Sequence, residues 1–190
     1  MPLPDRSVDL VFTSPPYLNA IDYLRCSKFS LVWMGYSIAA LREIRASSIG
    51  AEVRACGDLW TMALIRSLGL IGELSPRMKG ILIRYANDTR SALREVARVL
   101  RPDGRAVFVV GENTIRGVYI PTSKLLTFVA AAANLKLVDE KGRVLPPNRR
   151  YLPPPGVSRS AMDTRMRREV VLTFERERLE KTSSRKKVME

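Results

Sequence analysis

The chain reads as an α/β protein built like the second half of a doubly wound sheet. Three observations predict this class. A short apolar run, Val8-Asp9-Leu10-Val11-Phe12, ends abruptly in Thr13-Ser14-Pro15-Pro16-Tyr17. A long amphipathic stretch over residues 76–100 carries the apolar stripe Leu93, Val96, Ala97 and Leu100 at helical spacing. After the turn Arg101-Pro102-Asp103-Gly104, a second apolar run fills residues 105–111. Apolar strands separated by helices point to parallel pairing with helical crossovers.

Each element follows from local chemistry. Residues 4–12 predict a turn and then a buried parallel strand. Residues 13–19 form the loop at its C-terminal end, the place where open α/β sheets bind ligands. Residues 20–35 read as a helix closed by Gly35. Residues 37–74 continue in helical style, broken near Ser47-Ser48-Ile49-Gly50, at Gly69 and at Gly72. This predicts a helical insertion over 36–75. Pro76 suits the first turn of the long helix. Pro121 to Asn134 predicts another helix, and Leu135 to Asp139 a strand. Residues 142–161, rich in Pro, Arg and Gly, read as a loop. Arg167 to Glu175 gives a last strand, and 176–190 a frayed helix or charged tail that includes Arg185-Lys186-Lys187. The expected organisation is one domain over 1–175 followed by that tail.

Composition narrows the chemistry. A chain of 190 residues with 46% apolar content can bury a real core. No apolar stretch reaches the roughly 18 residues that a membrane span needs, and the first residues lack a signal pattern. A cytoplasmic protein is expected. Two cysteines, Cys26 and Cys56, are too few for a disulfide framework or a zinc cluster. They are expected to be small, half-buried side chains. There is no histidine, which excludes a Ser-His-Asp triad and any His-ligated metal. No metal is expected. The net charge of +13 favours a polyanionic partner, nucleic acid first.

The loop after the first strand is the most chemically specific segment. Two prolines fix φ near −65° and remove two N–H donors, and Pro15 pushes Ser14 towards extended backbone. The loop is stiff, offers carbonyl oxygens without competing donors, and ends in an aromatic ring. Such a site can accept the N–H bonds of a planar amino group while Tyr17 stacks on its face.

Ser14-Pro15-Pro16-Tyr17 resembles motif IV, (Asp/Asn/Ser)-Pro-Pro-(Tyr/Phe/Trp), of the S-adenosylmethionine-dependent amino-methyltransferases. The Thr-Ser-Pro-Pro-Tyr form is most similar to the DNA N4-cytosine and N6-adenine enzymes. The helix-turn-strand Leu93 to Val110 resembles the segment that follows this motif, a pattern shared by many Rossmann-type methyltransferases. The resemblance covers roughly residues 5–35 and 90–175. It implies a Rossmann-like methyltransferase fold and S-adenosylmethionine as cofactor. It also implies methyl transfer to an exocyclic amine of a flipped-out base, as in restriction-modification. Ser14, Pro15, Pro16 and Tyr17 become the catalytic candidates, with Thr13 and Ser14 beside the cofactor. Serine in first position leans towards N4-cytosine. A C5-cytosine enzyme would need a Pro-Cys nucleophile, and neither cysteine follows a proline.

Two basic regions are candidate DNA contacts. Arg25 and Lys28 lie three apart, on one face of the helix after the loop. Between 141 and 168 the chain has eight Lys or Arg and one acid, Asp163. This set includes Arg143, Arg149, Arg150, Arg159, Arg165, Arg167 and Arg168, with Tyr151 interleaved, and suits a phosphate backbone. Arg149, Arg150 and Arg159 are the principal candidates. The glycine-rich cofactor turn of the family is absent; Gly111-Glu112-Asn113 is not one. A further N-terminal half that supplies that turn is therefore an expected partner, beside DNA. The other readings are a Pro-Pro-Tyr methyltransferase acting on RNA or on a protein glutamine, and an inactive nucleic-acid-binding remnant.

Overall fold

The computed structural model describes residues 1–18, 23–49, 59–69, 74–115, 118–146 and 168–177, without the side chains of Tyr23, Arg25 and Ile115. Four strands form the main sheet in the order β1 (Val8–Thr13), β2 (Leu100–Gly111), β6 (Arg168–Arg176), β5 (Leu135–Val144). β1 and β2 run parallel, joined by a crossover that contains α1 (Tyr23–Trp33), α2 (Ile38–Ser47), α3 (Leu59–Ser67) and α4 (Pro76–Val99). β2 returns through a short hairpin, β3 (Asn113–Ile115) and β4 (Val118–Ile120), and through α5 (Thr122–Ala131) to β5. β6 is antiparallel to both β2 and β5 and lies between them. Strands β1, β2 and β5 therefore share one direction, and β6 opposes it.

The expected turn at 101–104 sits inside the span of β2 as an irregularity. Val8 pairs with Leu100, yet Leu10 pairs with Arg105, so the intervening residues of β2 bulge out of register. Gly104 is needed there. A Cβ at that position would stand 2.9 Å from the Asp9 carbonyl oxygen.

α4 carries most of the helical core. Met78, Ile81, Leu82, Tyr85, Ala86, Leu93, Val96 and Ala97 are buried along one stripe. They meet Ala106, Phe108 and Val110 of β2, then Val170, Leu172 and Phe174 of β6, with α5 packed beside them through Leu125, Leu126 and Val129. Phe108 and Phe174 meet edge to face at 5.9 Å. α3 adds Leu64 and Ile65 to the same core. α1 ends as the sequence predicts. Gly35 has φ +89, its N–H bonds to the Val32 carbonyl, and the Tyr36 N–H reaches back to Leu31.

Three expectations need correction, and one element was not foreseen. β1 is parallel, but it is not buried on both faces: Leu10 is 59% and Phe12 70% exposed. These side chains share a face with Val107 and Val109 of β2 and with Val171 and Thr173 of β6, and no described helix covers it. β5 does not stop at Asp139. It continues through Val144, paired with β6 as far as Arg168, because ladder bonds outweigh the loop-like composition of Lys141-Gly142-Arg143. The β3–β4 hairpin had no sequence signal strong enough to place it. Cys26 is exposed on α1 rather than half-buried, because little packs against that face of the helix. Cys56, the breaks at 50 and 72, and most of the 142–161 and 176–190 segments lie outside the described residues.

No helix among the described residues is long and apolar enough to cross a membrane. No group of three or more potential metal-ligating side chains gathers among them.

Candidate active site

The candidate loop stands at the C-terminal ends of the parallel pair β1 and β2. Thr13, half-buried, pairs with Phe108 as the last residue of β1. Leu18 is 1% exposed and plugs the far end of the loop into the core. Between these anchors the prolines leave little freedom. The loop is thus fixed by covalent stiffness inside and by packing at both ends.

Hydrogen bonding defines how the loop presents its groups. The Ser14 hydroxyl lies 3.2 Å from the Val109 carbonyl oxygen and 3.3 Å from the Tyr17 phenol oxygen. The Tyr17 hydroxyl donates to Glu169 Oε1 at 3.1 Å. A serine hydroxyl has one proton and two lone pairs. The Val109 carbonyl can only accept, and the Tyr17 proton is already committed to Glu169. Ser14 therefore directs its proton into the protein and keeps acceptor capacity for an incoming donor. Its side chain is exposed, so that capacity is accessible.

Glu169 is the residue that sequence reading missed. It is buried at the start of β6, in register with Gly111 of β2 and Arg143 of β5. Its two oxygens divide the work. Oε1 accepts from Tyr17, and Oε2 takes Arg143 Nε at 2.9 Å and Nη2 at 2.5 Å. A lone acid opening an apolar strand inside a basic run is the only sequence signal that could have found it, since a buried carboxylate must have partners. Arg143, expected among the basic-loop residues, lies on β5 with its guanidinium in an ion pair with Glu169.

Tyr17 titrates above the ordinary tyrosine value. Burial is the largest cause, the Ser14 hydrogen bond opposes it, Glu169 adds to it, and Arg143 opposes it. The phenol therefore stays protonated at neutral pH and acts as a hydrogen-bond donor, not as a base.

A second polar cluster is buried where β2 gives way to α5. Ser123 donates to Glu112 Oε1, and Asn113 Nδ2 lies 3.5 Å from Thr122 Oγ1. A carboxylate at a helix N-terminus is electrostatically favourable. This cluster holds the hairpin and the start of α5 together.

The remaining candidates are dispersed. Lys28 is exposed on α1 with its ammonium 4.8 Å above the Phe29 ring. The backbone of Arg25 belongs to α1, but its side chain lies outside the described residues, as do Arg149, Arg150, Tyr151, Arg159, Arg165 and Arg167. Arg168 is described and exposed at the start of β6. Among the described residues, the glycines with positive φ are Gly35 and Gly69, each just after a helix. Neither belongs to a strand-to-helix turn of the kind that approaches a cofactor.

No protein-family model matches the chain, and no curated protein matches it. Solved structures do align. A candidate DNA modification methylase of Thermus thermophilus matches 93% of this chain at 17% identity and a TM-score of 0.47. Its complex with S-adenosyl-L-methionine matches the same share at 17% identity and a TM-score of 0.44. A candidate methyltransferase of Thermoplasma acidophilum covers 46% of this chain and 34% of its own length, at 15% identity and a TM-score of 0.30. The chain spans about half the length of the Thermus structures, 49% in each of these two alignments.

Proposed function

We propose that this chain is the catalytic half of an S-adenosylmethionine-dependent DNA amino-methyltransferase that modifies cytosine N4 or adenine N6. The observation that carries the reading is the outward acceptor capacity of Ser14, beside an aromatic ring anchored at the end of β1. An exocyclic amine is a weak nucleophile because its lone pair is delocalised into the base. Accepting its N–H bonds at Ser14 and at the Pro15 carbonyl draws the nitrogen towards tetrahedral geometry and localises that lone pair. Tyr17 offers its ring as a stacking surface for a base swung out of the duplex. The surplus proton leaves after attack, so no histidine or other strong base is needed. The cofactor would supply the electrophilic sulfonium methyl group.

The described residues fit only part of a cofactor site. Thr13 and Ser14 stand at the strand end, but no glycine turn accompanies them. We assign the rest of the site to a second half-domain, in the same polypeptide or another. The exposed Leu10 and Phe12 support this, as does the outer edge of β1, which no described strand pairs. A parallel strand normally has both faces covered, and an open apolar edge invites pairing. DNA is the proposed substrate, with Lys28, Arg25, Arg149, Arg150 and Arg159 as backbone contacts. Such an enzyme would work in the cytoplasm. A non-catalytic nucleic-acid-binding remnant is the second reading, favoured by the same missing turn.

The test is methylation of DNA and of RNA by the chain, alone and together with a polypeptide carrying the glycine-rich half. Nucleoside digestion and mass spectrometry read the product. N4-methyldeoxycytidine or N6-methyldeoxyadenosine is expected. Methyl groups on RNA or protein alone would replace this reading, and none at all would favour the remnant.

A further inference from the structure

We propose that Glu169 is a positioning residue for Tyr17, and that Arg143 balances its charge by pairing with its other oxygen. The loop with its catalytic candidates is local in sequence, but its aromatic ring is oriented by strands more than a hundred residues downstream. Tyr17 and Glu169 are separated by 152 residues, yet their side chains share one hydrogen bond. The phenol has a single proton, and donating it to Glu169 fixes the direction of the ring's outer end. Glu169 is buried, so its orientation cannot drift with solvent. Its other oxygen is occupied by two nitrogens of Arg143. Both bonds end on one atom, which leaves Oε1 for Tyr17. Strands β5 and β6 thus extend a brace from the far side of the sheet to the loop on β1.

The catalytic consequence rests on the amino-methyltransferase reading; the brace itself does not. Stacking a flipped base on Tyr17 needs a fixed ring plane, and a displacement of roughly 1 Å can cost about 100-fold in rate. Loss of Glu169 should therefore lower turnover while leaving DNA affinity, which phosphate contacts dominate, nearly unchanged.

The experiment follows Tyr17 itself. The 190-residue chain is prepared with its tyrosines labelled with 13C at Cζ, and each ring is titrated by NMR from about pH 8 to about pH 12. Tyr17→Phe identifies the resonance. The groups that face Tyr17 are Ser14, Glu169, Arg143 and the Tyr85 phenol of α4; Glu169 and Arg143 act in opposite directions, and the Tyr85 ring is followed in the same titration. Glu169→Gln is expected to move the Tyr17 titration to lower pH, and Arg143→Met to move it to higher pH. General loosening would move both variants the same way, towards ordinary tyrosine. Opposite shifts support the brace; no shift, or shifts of one sign, overturns it. If Glu169→Gln does not fold, Arg143→Met decides alone, and anything but an upward shift overturns the proposal. A separate arm measures methylation by the assembled enzyme. Glu169→Gln should lower kcat roughly 10- to 100-fold without changing half-saturation by DNA. An unchanged kcat would overturn the catalytic role. A wild type that methylates no base would instead sink the functional reading and leave the brace standing.

Discussion

The two faces of the main sheet are built to different standards. One face, from Ala106, Phe108 and Val110 across to Val170, Leu172 and Phe174, is sealed under α4 and α5. The other carries Leu10 and Phe12 in the open and Val107, Val109 and Val171 only half covered. The strands are the same and the residue types are alike. What differs is whether the described residues supply a second layer. An apolar side chain on a strand therefore identifies a surface meant to be covered, but it does not say by what.

The largest test of this contrast is a pair of truncations. Phe108→Ala on the sealed face should cost about 3–5 kcal/mol of stability in urea unfolding. Phe12→Ser on the bare face should change stability by about 0.5 kcal/mol or less. A large loss for Phe12→Ser would mean that this face is already covered. Next in size is the loop. Tyr17→Ala should remove about 1–3 kcal/mol of base stacking. Methylation should fall sharply while nonspecific DNA binding stays close to wild type, and equal loss of both would refute the stacking role.

Tyr85, on the sealed side, gives a pH-dependent test. Burial pushes its pKa up to about 12. The folded state then holds this proton more tightly than the unfolded chain. The associated stability is complete below about pH 10 and is lost as pH rises through about 12. Tyr85→Phe should flatten that alkaline loss and change stability at neutral pH by no more than about 1 kcal/mol. Urea midpoints at neutral and alkaline pH would show it. The smallest effect belongs to the rim, where Arg98 and then the amino group of Met1 hold the Glu95 carboxyl down to about 2. That contribution is present above the ordinary carboxylate range and disappears as pH falls through about 2. Arg98→Met should move the Glu95 titration upward, measurable by NMR, with little change in the unfolding midpoint because the pair is exposed.

Much of the fold was legible because periodicity and punctuation are local. The stripe Leu93, Val96, Ala97 and Leu100 is buried as its spacing predicts, and Gly35 closes α1. The Ser14 to Tyr17 loop was equally legible, since two prolines dictate its stiffness without outside help. Residues whose environment is set by distant strands were not. Glu169 looks like one charge among many until β5 and β6 pair and bring Arg143 beside it. Gly142 reads as loop chemistry, but in the folded chain it lies under the Arg168 guanidinium and within a ladder. The openness of β1 was hidden for a related reason: an apolar run records what a strand is suited to meet, not what it meets.

The placement of β6 has a consequence for how the molecule comes into being. Residues 168–176 occupy an interior position in the sheet, between β2 and β5, although they follow every other described strand. During synthesis, β2 and β5 emerge first and cannot bond to each other in the final arrangement, because a slot one strand wide must stay open. Until β6 arrives, the Phe108 ring lacks its Phe174 neighbour and Tyr17 has no acceptor for its proton. The middle of the sheet and the Tyr17 contact are therefore completed late, and a translation product cut short before residue 168 would lack both.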